Sequence, residues 1–392
     1  MRIALVHMRQ AATGGTERYM NGLAAELAQR GDEVVIVCRS HEQAPHPRVK
    51  FERVRPLALG AAQRMWSFAR AVEKHVRLSR YDLVVGLGKT WTHDVVRLGG
   101  GCHASYLEHA HAETRSPLER TLRLPEPKQA IALAIERRAL APGAYRLAIC
   151  NSDMVRRDLL ARYGGDPARV EVVHNGVDLT RFAPTRRATD GAAVRAELGL
   201  ADADPLVLFV GSGFGRKGLD LLLQATVALR AVAPRARVLV VGGDAQRPHY
   251  ERMASELGVA DAVVFTGERR DVERYHAAAD LFCLPTRYDA FANATLEALA
   301  SGVPVVTSDA NGAAEVVDAN CGSVVRAGSA PELAHELVAW LPAERRAAAA
   351  KAARTSAASR SVAAMAARTR ELFDRVAEEK RKQPTSAPAL RR

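Results

Sequence analysis

The sequence has few cysteines and few aromatic residues. Five cysteines lie far apart along 392 residues, and no two of them form a C-x-x-C pair: Cys38, Cys102, Cys150, Cys283 and Cys321. An odd number of scattered cysteines disfavours both a disulfide framework and a zinc site. Aromatic residues make up only 5% of the chain, and no nucleic-acid-binding motif is present. We therefore expect no nucleic-acid partner.

Long apolar runs are also missing. No run approaches the roughly 18 residues that a membrane-spanning helix requires. The apolar stretch over residues 1–7 is too short for a signal peptide and is typical of a buried first strand. These features predict a cytoplasmic protein.

Positive charge is in excess. The chain has 56 Lys and Arg against 44 Asp and Glu, which gives a formal net charge of +12. Such a balance favours an anionic partner, either a membrane surface rich in anionic lipid or a phosphorylated acceptor. Solubility of an Arg- and Ala-rich chain is the alternative explanation.

Strand-like runs alternate with helix-like segments along the whole chain, which predicts an α/β protein with parallel sheets. In the first half the predicted strands are 2–7, 33–38, 81–86 and 145–150, with helices over 17–30 and from about 152 to 163. In the second half the predicted strands are 206–210, 237–241, 263–267, 280–285 and 303–307, with helices from 218 to about 233 and over 292–300.

A chain of this length suits two domains better than one. We predict an N-terminal Rossmann-like domain over residues 1–177, a linker over 178–204 and a second Rossmann-like domain over 205–342. Helices over 343–379 are expected to return to the first domain. The basic segment 380–392 is expected to be disordered.

Ligands of doubly wound sheets bind at the carboxyl ends of the strands. The candidate loops are therefore 8–16, 87–94, 211–218, 286–291 and 308–312. In the first of these loops, Gly14 and Gly15 precede a helix. Glycines let a ligand approach the backbone, and a helix N-terminus offers N–H groups to a phosphate. A tight turn explains the same pattern.

The loop over residues 211–218 has the sequence GSGFGRKG. It is neither a Walker A motif nor a G-x-G-x-x-G fingerprint. It does place Arg216 and Lys217 side by side in a glycine-rich turn after a buried strand. A departing diphosphate requires such positive charge. A solvated basic turn is the alternative.

Two acids flank the start of the helix over 292–300. Asp289 precedes the helix and Glu297 lies eight residues later, a little over two helical turns, so both fall on roughly one face. One carboxylate would suit a sugar hydroxyl and the other a ribose diol, while the helix N-terminus takes phosphate. An ordinary N-terminal charge and a solvated helix residue are the alternatives.

These residues carry a family resemblance. The two acids followed by LASGVPVV, the loop over 211–218, the early Gly14-Gly15 and the NGVD at 175–178 resemble glycosyltransferase family 4 over about residues 1–375. Within that family the chain is most similar to the lipopolysaccharide core glucosyltransferase I group. That similarity rests on the loop over 211–218, on DANCG at 318–322 and on Gly101-Cys102-His103 with Tyr106.

The resemblance implies a GT-B fold, in which two Rossmann-like domains face each other across a cleft. It further implies that Arg216 and Lys217 hold the donor diphosphate and that Glu297 binds the ribose. Asp289 would bind the transferred sugar, helped by the backbone N–H groups near Phe291 and Ala292.

On the other domain, Gly15, next to Gly14, would approach the phosphate. Asp94 and His103 would face the acceptor as polar contacts or proton-transfer groups. No metal and no cofactor are implied beyond the donor, so Asp202 and Asp204 are interpreted as linker residues.

One position departs from the family pattern. The first acid of the pair is usually Glu, and here it is Asp289, whose side chain is one methylene shorter. The identity of the donor sugar therefore stays open.

The resemblance predicts retaining transfer of a hexose, glucose from UDP-glucose, to an inner-core sugar of lipopolysaccharide. The acceptor would be a glycolipid at the inner face of the cytoplasmic membrane. Reversible adsorption would use the segment 103–138, which mixes basic residues with leucines. The alternatives are a family 4 transferase for O-antigen, capsule or a lipid-linked glycan, a nucleotide-sugar 2-epimerase, and a protein that binds anionic polymers.

Overall fold

The computed structural model describes residues 1–12, 14–57, 60–110 and 126–382. The strands are Arg2–Val6 (β1), Glu33–Cys38 (β2), Lys50–Arg53 (β3), Leu83–Gly86 (β4), Val95–Leu98 (β5), Leu147–Cys150 (β6), Val170–Val172 (β7), Leu206–Val210 (β8), Arg237–Val241 (β9), Val263–Gly267 (β10), Leu281–Leu284 (β11), Val305–Ser308 (β12) and Gly322–Val325 (β13).

The helices alternate with these strands. They are Gly15–Gln29 (α1), Ala61–Leu78 (α2), His103–Ala110 (α3), Pro127–Leu140 (α4), Asp153–Tyr163 (α5), Asp190–Glu197 (α6), Phe214–Lys217 (α7), Leu219–Val232 (α8), Arg247–Glu256 (α9), Val272–Ala278 (α10), Asn293–Ala300 (α11), Ala330–Ala339 (α12), Ala343–Ala358 (α13) and Val362–Lys382 (α14). None of these helices is long and apolar enough to cross a bilayer.

The described strands form two parallel sheets. The first has seven strands in the order β3-β2-β1-β4-β5-β6-β7, and the second has six in the order β10-β9-β8-β11-β12-β13. In each sheet the order reverses beside the first strand, between β1 and β4 and between β8 and β11. Ligands of such sheets bind at these switch points. The predicted α/β class with two doubly wound parallel sheets is confirmed.

The sequences of the central strands explain their burial. Strands β1, β4, β8 and β11 are nearly continuous apolar runs, which is typical of parallel strands covered by helices on both faces. Each sheet has its own apolar core, one that includes Leu5 and Ile36 and one that includes Leu208 and Phe282. The short strands β3, β5, β7 and β13 have weaker patterns and were not predicted.

The chain divides into two compact units. Of the described residues, unit 1 contains those within 1–107, 126–176 and 362–382, and unit 2 contains 108–110 and 177–361. Of the helices predicted to return to the first domain, only α14 packs within unit 1. Helix α13 packs against α11 in unit 2, where Ala349, Ala353 and Ala357 are buried. Small side chains on one face of α13 permit this close packing.

The predicted linker over 178–204 is not an extended connection. It contains a 3-10 helix, Pro184–Ala188, and helix α6, both packed in unit 2. Arg195 is buried there, and its guanidinium donates to the carbonyls of Ala278 and Asp204 and to the carboxylate of Asp280. A buried arginine whose terminal N–H groups are paired interrupts the apolar pattern, so an apolar-pattern analysis does not detect the helix.

Candidate active site

Two loops of unit 2 lie side by side at the carboxyl edge of the second sheet. The loop over 211–218 follows β8, and the loop over 285–292 follows β11, the neighbouring strand. Gly218 has a φ of +75°, and a Cβ at this position would lie 2.1 Å from the carbonyl oxygen of Pro285. Only glycine therefore permits this approach of the two loops.

The two cations of the first loop meet the acid of the second. Arg216 Nη1 donates to the carbonyl oxygen of Tyr288 at 2.8 Å and to Asp289 Oδ2 at 3.2 Å. Lys217 Nζ forms an ion pair with the same carboxylate oxygen. The structure thus brings together three of the residues that were assigned to the donor.

This cluster is shielded from water and remains charged. The side chain of Asp289 is 14% exposed and that of Lys217 is 11% exposed. Burial by itself would raise the pKa of Asp289, but the charges of Lys217 and Arg216 outweigh burial and hold the pKa below its usual value. Two cations facing one carboxylate leave one positive charge in excess, which suits an anionic ligand.

Arg287 fixes the geometry of the two loops and was not identified from the sequence. Its guanidinium binds both carboxylate oxygens of Asp220, at 2.8 and 2.6 Å, and Nη1 also donates to the carbonyl oxygen of Gly215 at 2.8 Å. The backbone N–H of Arg287 donates to the carbonyl oxygen of Arg216 at 2.8 Å. A bidentate Arg–carboxylate pair holds a fixed orientation.

Asn311 supports Asp289 from the next loop along the sheet. It is 1% exposed, and its amide donates to Thr295 and Thr307 and accepts from the N–H groups of Ala292 and Ala313. The flanking backbone pairs with that of Asp289. Asn311 was not predicted, because nothing in its local sequence distinguishes it from other turn residues.

The backbone N–H groups assigned to the donor already have partners. Phe291 N–H donates to Asp289 Oδ1 at 3.2 Å, and Ala292 N–H donates to Asn311 Oδ1 at 3.1 Å. Their predicted contact with the transferred sugar therefore requires the side chains of Asp289 and Asn311 to release them. These two N–H groups act here to orient the loop.

Glu297 lies on the buried side of α11. It is 5% exposed, so a solvated helix position is excluded. One carboxylate oxygen lies 3.7 Å from Nε2 of His276, a fully buried residue whose ring stacks against Phe282. Its assignment to the ribose stays a prediction.

In unit 1, Gly14 and Gly15 lie at the start of α1 as predicted, but the helix N-terminus already faces a carboxylate. A Cβ on Gly14 would lie 2.2 Å from Oε2 of Glu17. The other oxygen of Glu17 lies 3.8 Å from Nε2 of His7. This contact with His7 is the main cause that lowers the pKa of Glu17. A phosphate at Gly15 would have to displace this carboxylate.

Asp94 does not present a free carboxylate to an acceptor. It accepts from the N–H of Val84 at 2.9 Å and from Lys380 Nζ at 2.7 Å, and its side chain is 14% exposed. The residue joins β4 and α14 inside unit 1. The acceptor role predicted for Asp94 therefore has no support in this geometry.

His103 lies at the start of α3. Its backbone N–H donates to Glu136, its Nε2 lies 2.7 Å from Gln129 Oε1, and its ring stacks on Tyr106. Burial lowers the pKa of His103, and the nearby charge of Lys89 adds to that effect. A neutral imidazole with an engaged Nε2 suits a binding contact better than proton transfer.

The carboxylate of Asp204, one of the two acids interpreted as linker residues, is engaged within unit 2. The carboxylate of Asp204 accepts from Ala201 N–H and from Arg235. Within the described ranges, no group of three or more His, Cys, Asp or Glu side chains is arranged to hold a metal ion.

Comparisons with known proteins cover both halves of the chain. A family model described as "Glycosyltransferase Family 4" matches residues 13–181, and one described as "Glycosyl transferases group 1" matches residues 204–342. The lipopolysaccharide glucosyltransferase WaaG of Escherichia coli strain K12 is 28% identical over 327 residues, which are 83% of this chain and 85% of that protein.

Solved structures of glycosyltransferases have the same fold. A crystal structure of WaaG, a glycosyltransferase involved in lipopolysaccharide biosynthesis, has a TM-score of 0.80 at 26% identity and covers 95% of this chain and 99% of its own. Anabaena HepE in complex with UDP-glucose has a TM-score of 0.71 at 20% identity, covering 96% of this chain and 100% of its own, and so shows the fold alone.

One further relative matches only in part. The D-inositol 3-phosphate glycosyltransferase of Nocardia farcinica is 39% identical over 206 residues, which are 50% of this chain and 43% of that protein. This chain therefore spans less than half the length of that relative.

The two sheets with their switch points, and the cationic cluster at the carboxyl edge of the second, define a glycosyltransferase of GT-B fold. The chain belongs to glycosyltransferase family 4.

Proposed function

We propose that this enzyme is a retaining hexosyltransferase that moves glucose from UDP-glucose onto an inner-core sugar of lipopolysaccharide. The single observation that carries the proposal is the cluster of Arg216, Lys217 and Asp289 at the switch point of the second sheet. Similarity to WaaG over both halves of the chain supports the acceptor class.

The cluster suits a nucleotide-sugar donor. Arg216 and Lys217 supply two cations for the diphosphate, and charged hydrogen bonds of this kind are worth about 1.5–3 kcal/mol each. In the structure both cations contact Asp289. An incoming diphosphate would draw them away and free Asp289 to accept hydrogen bonds from sugar hydroxyls. HepE, which shares the fold, has been crystallised with UDP-glucose.

The chemistry we favour is attack by the acceptor hydroxyl on the face from which the nucleotide departs. The bond from the anomeric carbon to the phosphate oxygen breaks, the new glycosidic bond forms, and the departing phosphate takes the proton. The protein orients both substrates and stabilises charge on the leaving group through Arg216 and Lys217. No protein nucleophile is required.

A screen of sugar nucleotides by thermal shift tests the donor. A ligand at 100 times its dissociation constant stabilises the protein by about 2.7 kcal/mol. We expect UDP-glucose to raise the melting temperature of the wild type and not that of Arg216→Ala. No shift with any sugar nucleotide would refute the donor proposal.

The acceptor is tested with the preferred donor. We expect transfer to the inner core of lipopolysaccharide and not to free inositol phosphate, the acceptor type in the name of the partly matching relative. Transfer only to O-antigen, capsule or lipid-linked glycans would favour another family 4 activity. Conversion of the donor without any acceptor would favour a 2-epimerase.

A glycolipid acceptor requires the enzyme to reach the membrane surface. We propose adsorption to the anionic inner face of the cytoplasmic membrane through the basic residues of the segment 103–138, whose net charge is only slightly positive and of which residues 111–125 lie outside the described part. Each Lys or Arg near such a surface contributes about 1 kcal/mol. Binding to anionic vesicles, little to neutral ones and release by salt would support this. Equal binding to both would contradict it.

A further inference from the structure

The loop between β4 and β5 contains a lysine with an unusual backbone. Lys89 has a φ of +60°, and within the described ranges it is the one residue other than glycine in the left-handed region. Such a conformation is unfavourable for a long side chain, and it persists only where the surroundings fix it. The loop follows β4 at the carboxyl edge of the first sheet, beside the switch point between β1 and β4.

Two neighbours of Lys89 fix this loop to helices. Trp91 is 6% exposed, its Nε1 donates to Glu73 of α2 at 3.1 Å, and Arg138 of α4 lies 4.2 Å from its ring centroid. His93 Nε2 lies 3.2 Å from the carbonyl oxygen of Ala139. The loop is therefore anchored on both α2 and α4, and the position of Lys89 is imposed by the fold.

Lys89 is half-buried, and its ammonium makes no hydrogen bond or ion pair with the residues that the structure describes. The nearby acid, Glu136, is engaged elsewhere. Its carboxylate accepts from the N–H groups of His103 and Ala104 and from the hydroxyl of Tyr163. A charge that is partly removed from water and has no protein partner in the described residues is available to a ligand of opposite charge.

The charges around Lys89 favour an anion. Burial is the largest cause that lowers the pKa of Lys89, and the carboxylate of Glu136 acts in the opposite direction. The charge of Lys128, an exposed residue of α4, also lowers the pKa of Lys89. His103 is kept neutral by burial and by these two lysines. The cluster of two lysines, a neutral imidazole and an engaged glutamate therefore has a net positive charge.

We propose that Lys89, with Lys128 at the rim, forms a subsite for an anionic group of the acceptor, a phosphate or a carboxylate next to the sugar that is glycosylated. The subsite rests on the proposed function, because it lies on the acceptor side only if the second unit binds the donor. Tyr106, 39% exposed and stacked on His103, offers a flat surface for the sugar ring beside it.

Binding of small probes tests the subsite without knowledge of the full acceptor. Glucose 6-phosphate, glucuronate and glucose are titrated by calorimetry at low salt, with saturating UDP present to occupy the cluster at Arg216. The proteins are the wild type, Lys89→Met, Lys89→Arg and Lys74→Met. Lys74 is an exposed lysine of α2 in the same unit and serves as the matched control.

We expect one or both charged probes to bind the wild type and Lys74→Met at least tenfold more tightly than glucose. Lys89→Met should lose this preference and Lys89→Arg should keep part of it. Tighter glucose 6-phosphate identifies a phosphate as the recognised group, and tighter glucuronate identifies a carboxylate. An unchanged preference in Lys89→Met, or none in the wild type, overturns the proposal.

A stability measurement separates binding from a structural role. Removing a half-buried charge that has no partner among the described residues should leave the urea midpoint of Lys89→Met unchanged or raised, even as anion binding is lost. A lowered midpoint with intact anion preference would make Lys89 a structural residue. The donor proposal is tested separately, because it fails if UDP and the UDP-sugars give no thermal shift. The Lys89 subsite is judged only by the difference in probe binding between the wild type and Lys89→Met.

Discussion

The ammonium of Lys380 lies 2.7 Å from the carboxylate of Asp94, and this ion pair joins α14 to the loop before β5 across 286 residues of sequence. Arg370 and the N-terminal amine both bind Asp32, and Arg169 binds Glu379, so further ion pairs attach α14 to unit 1. The final helix is therefore part of the unit that the first residues begin.

Lys380→Met should destabilise unit 1. The substitution leaves the Asp94 carboxylate, 14% exposed, with one fewer donor, at a cost of about 1–3 kcal/mol. We expect a lower urea midpoint, followed by circular dichroism. Lys382→Met removes an exposed i,i+4 pair with Glu378 and is the matched control, with an effect below about 0.5 kcal/mol. Equal effects of the two substitutions would contradict the assignment.

Arg216→Ala and Lys217→Ala should each lower kcat/KM at least tenfold with the fold intact. The physical reason is the loss of a charged hydrogen bond to the donor diphosphate, worth about 1.5–3 kcal/mol. Steady-state kinetics and the thermal shift with UDP measure the effect. Arg230→Ala, which removes a surface pair with Asp261 in the same unit, is the control and should retain activity. Unchanged kinetics in both site variants would remove them from the donor site.

Arg287→Met should weaken donor binding although we place Arg287 behind the loops and not against the donor. Without its bidentate bond to Asp220 and its bond to Gly215, the loop over 211–218 loses its fixed position. Asp220→Asn should act similarly. The double variant should bind UDP little more weakly than either single variant, because each substitution removes the same Arg287–Asp220 interaction. Additive losses in UDP affinity would show that the two residues act separately.

Stability should fall as the pH drops from about 6.5 towards 4, partly because of His93. Burial lowers the pKa of His93 to about 4. Between that value and the ordinary value of about 6.5, the unfolded chain binds a proton that the folded chain does not, so stability decreases with decreasing pH. The free energy of unfolding should fall by up to roughly 3 kcal/mol through this protonation of His93.

His93→Gln should flatten this part of the pH–stability curve, measured as urea midpoints from pH 7 to 4.5. His249→Gln, at an exposed position of α9, is the control and should leave the slope unchanged. A wild-type slope in His93→Gln would show that other groups cause the acid sensitivity.

Activity should persist in excess EDTA. Arg216 and Lys217 are placed to neutralise the leaving diphosphate, so cationic side chains supply the charge that a divalent ion supplies elsewhere. Initial rates with and without EDTA, then with added magnesium or manganese, decide the matter. Complete loss that either metal restores would mean that a metal takes part.

The sequence by itself determined the fold class, the two parallel sheets and the glycine-rich loop that carries two adjacent cations. Continuous apolar strands separated by amphipathic helices leave few other arrangements, and two adjacent cations in a glycine-rich turn after a buried strand are visible without coordinates. The family pattern assigned Asp289 to the transferred sugar, and the structure places its carboxylate against both cations.

Only the tertiary structure decided which polar residues pair with one another. Asp94, which the sequence assigned to the acceptor side, is bound to Lys380. Arg195 is a buried, paired residue of a helix within the stretch that was predicted as a linker. The supporting roles of Arg287 and Asn311, and the left-handed backbone of Lys89, depend on contacts between residues that are not adjacent in the chain. Charge pairing between distant residues leaves no periodic pattern in sequence, whereas burial of strands does.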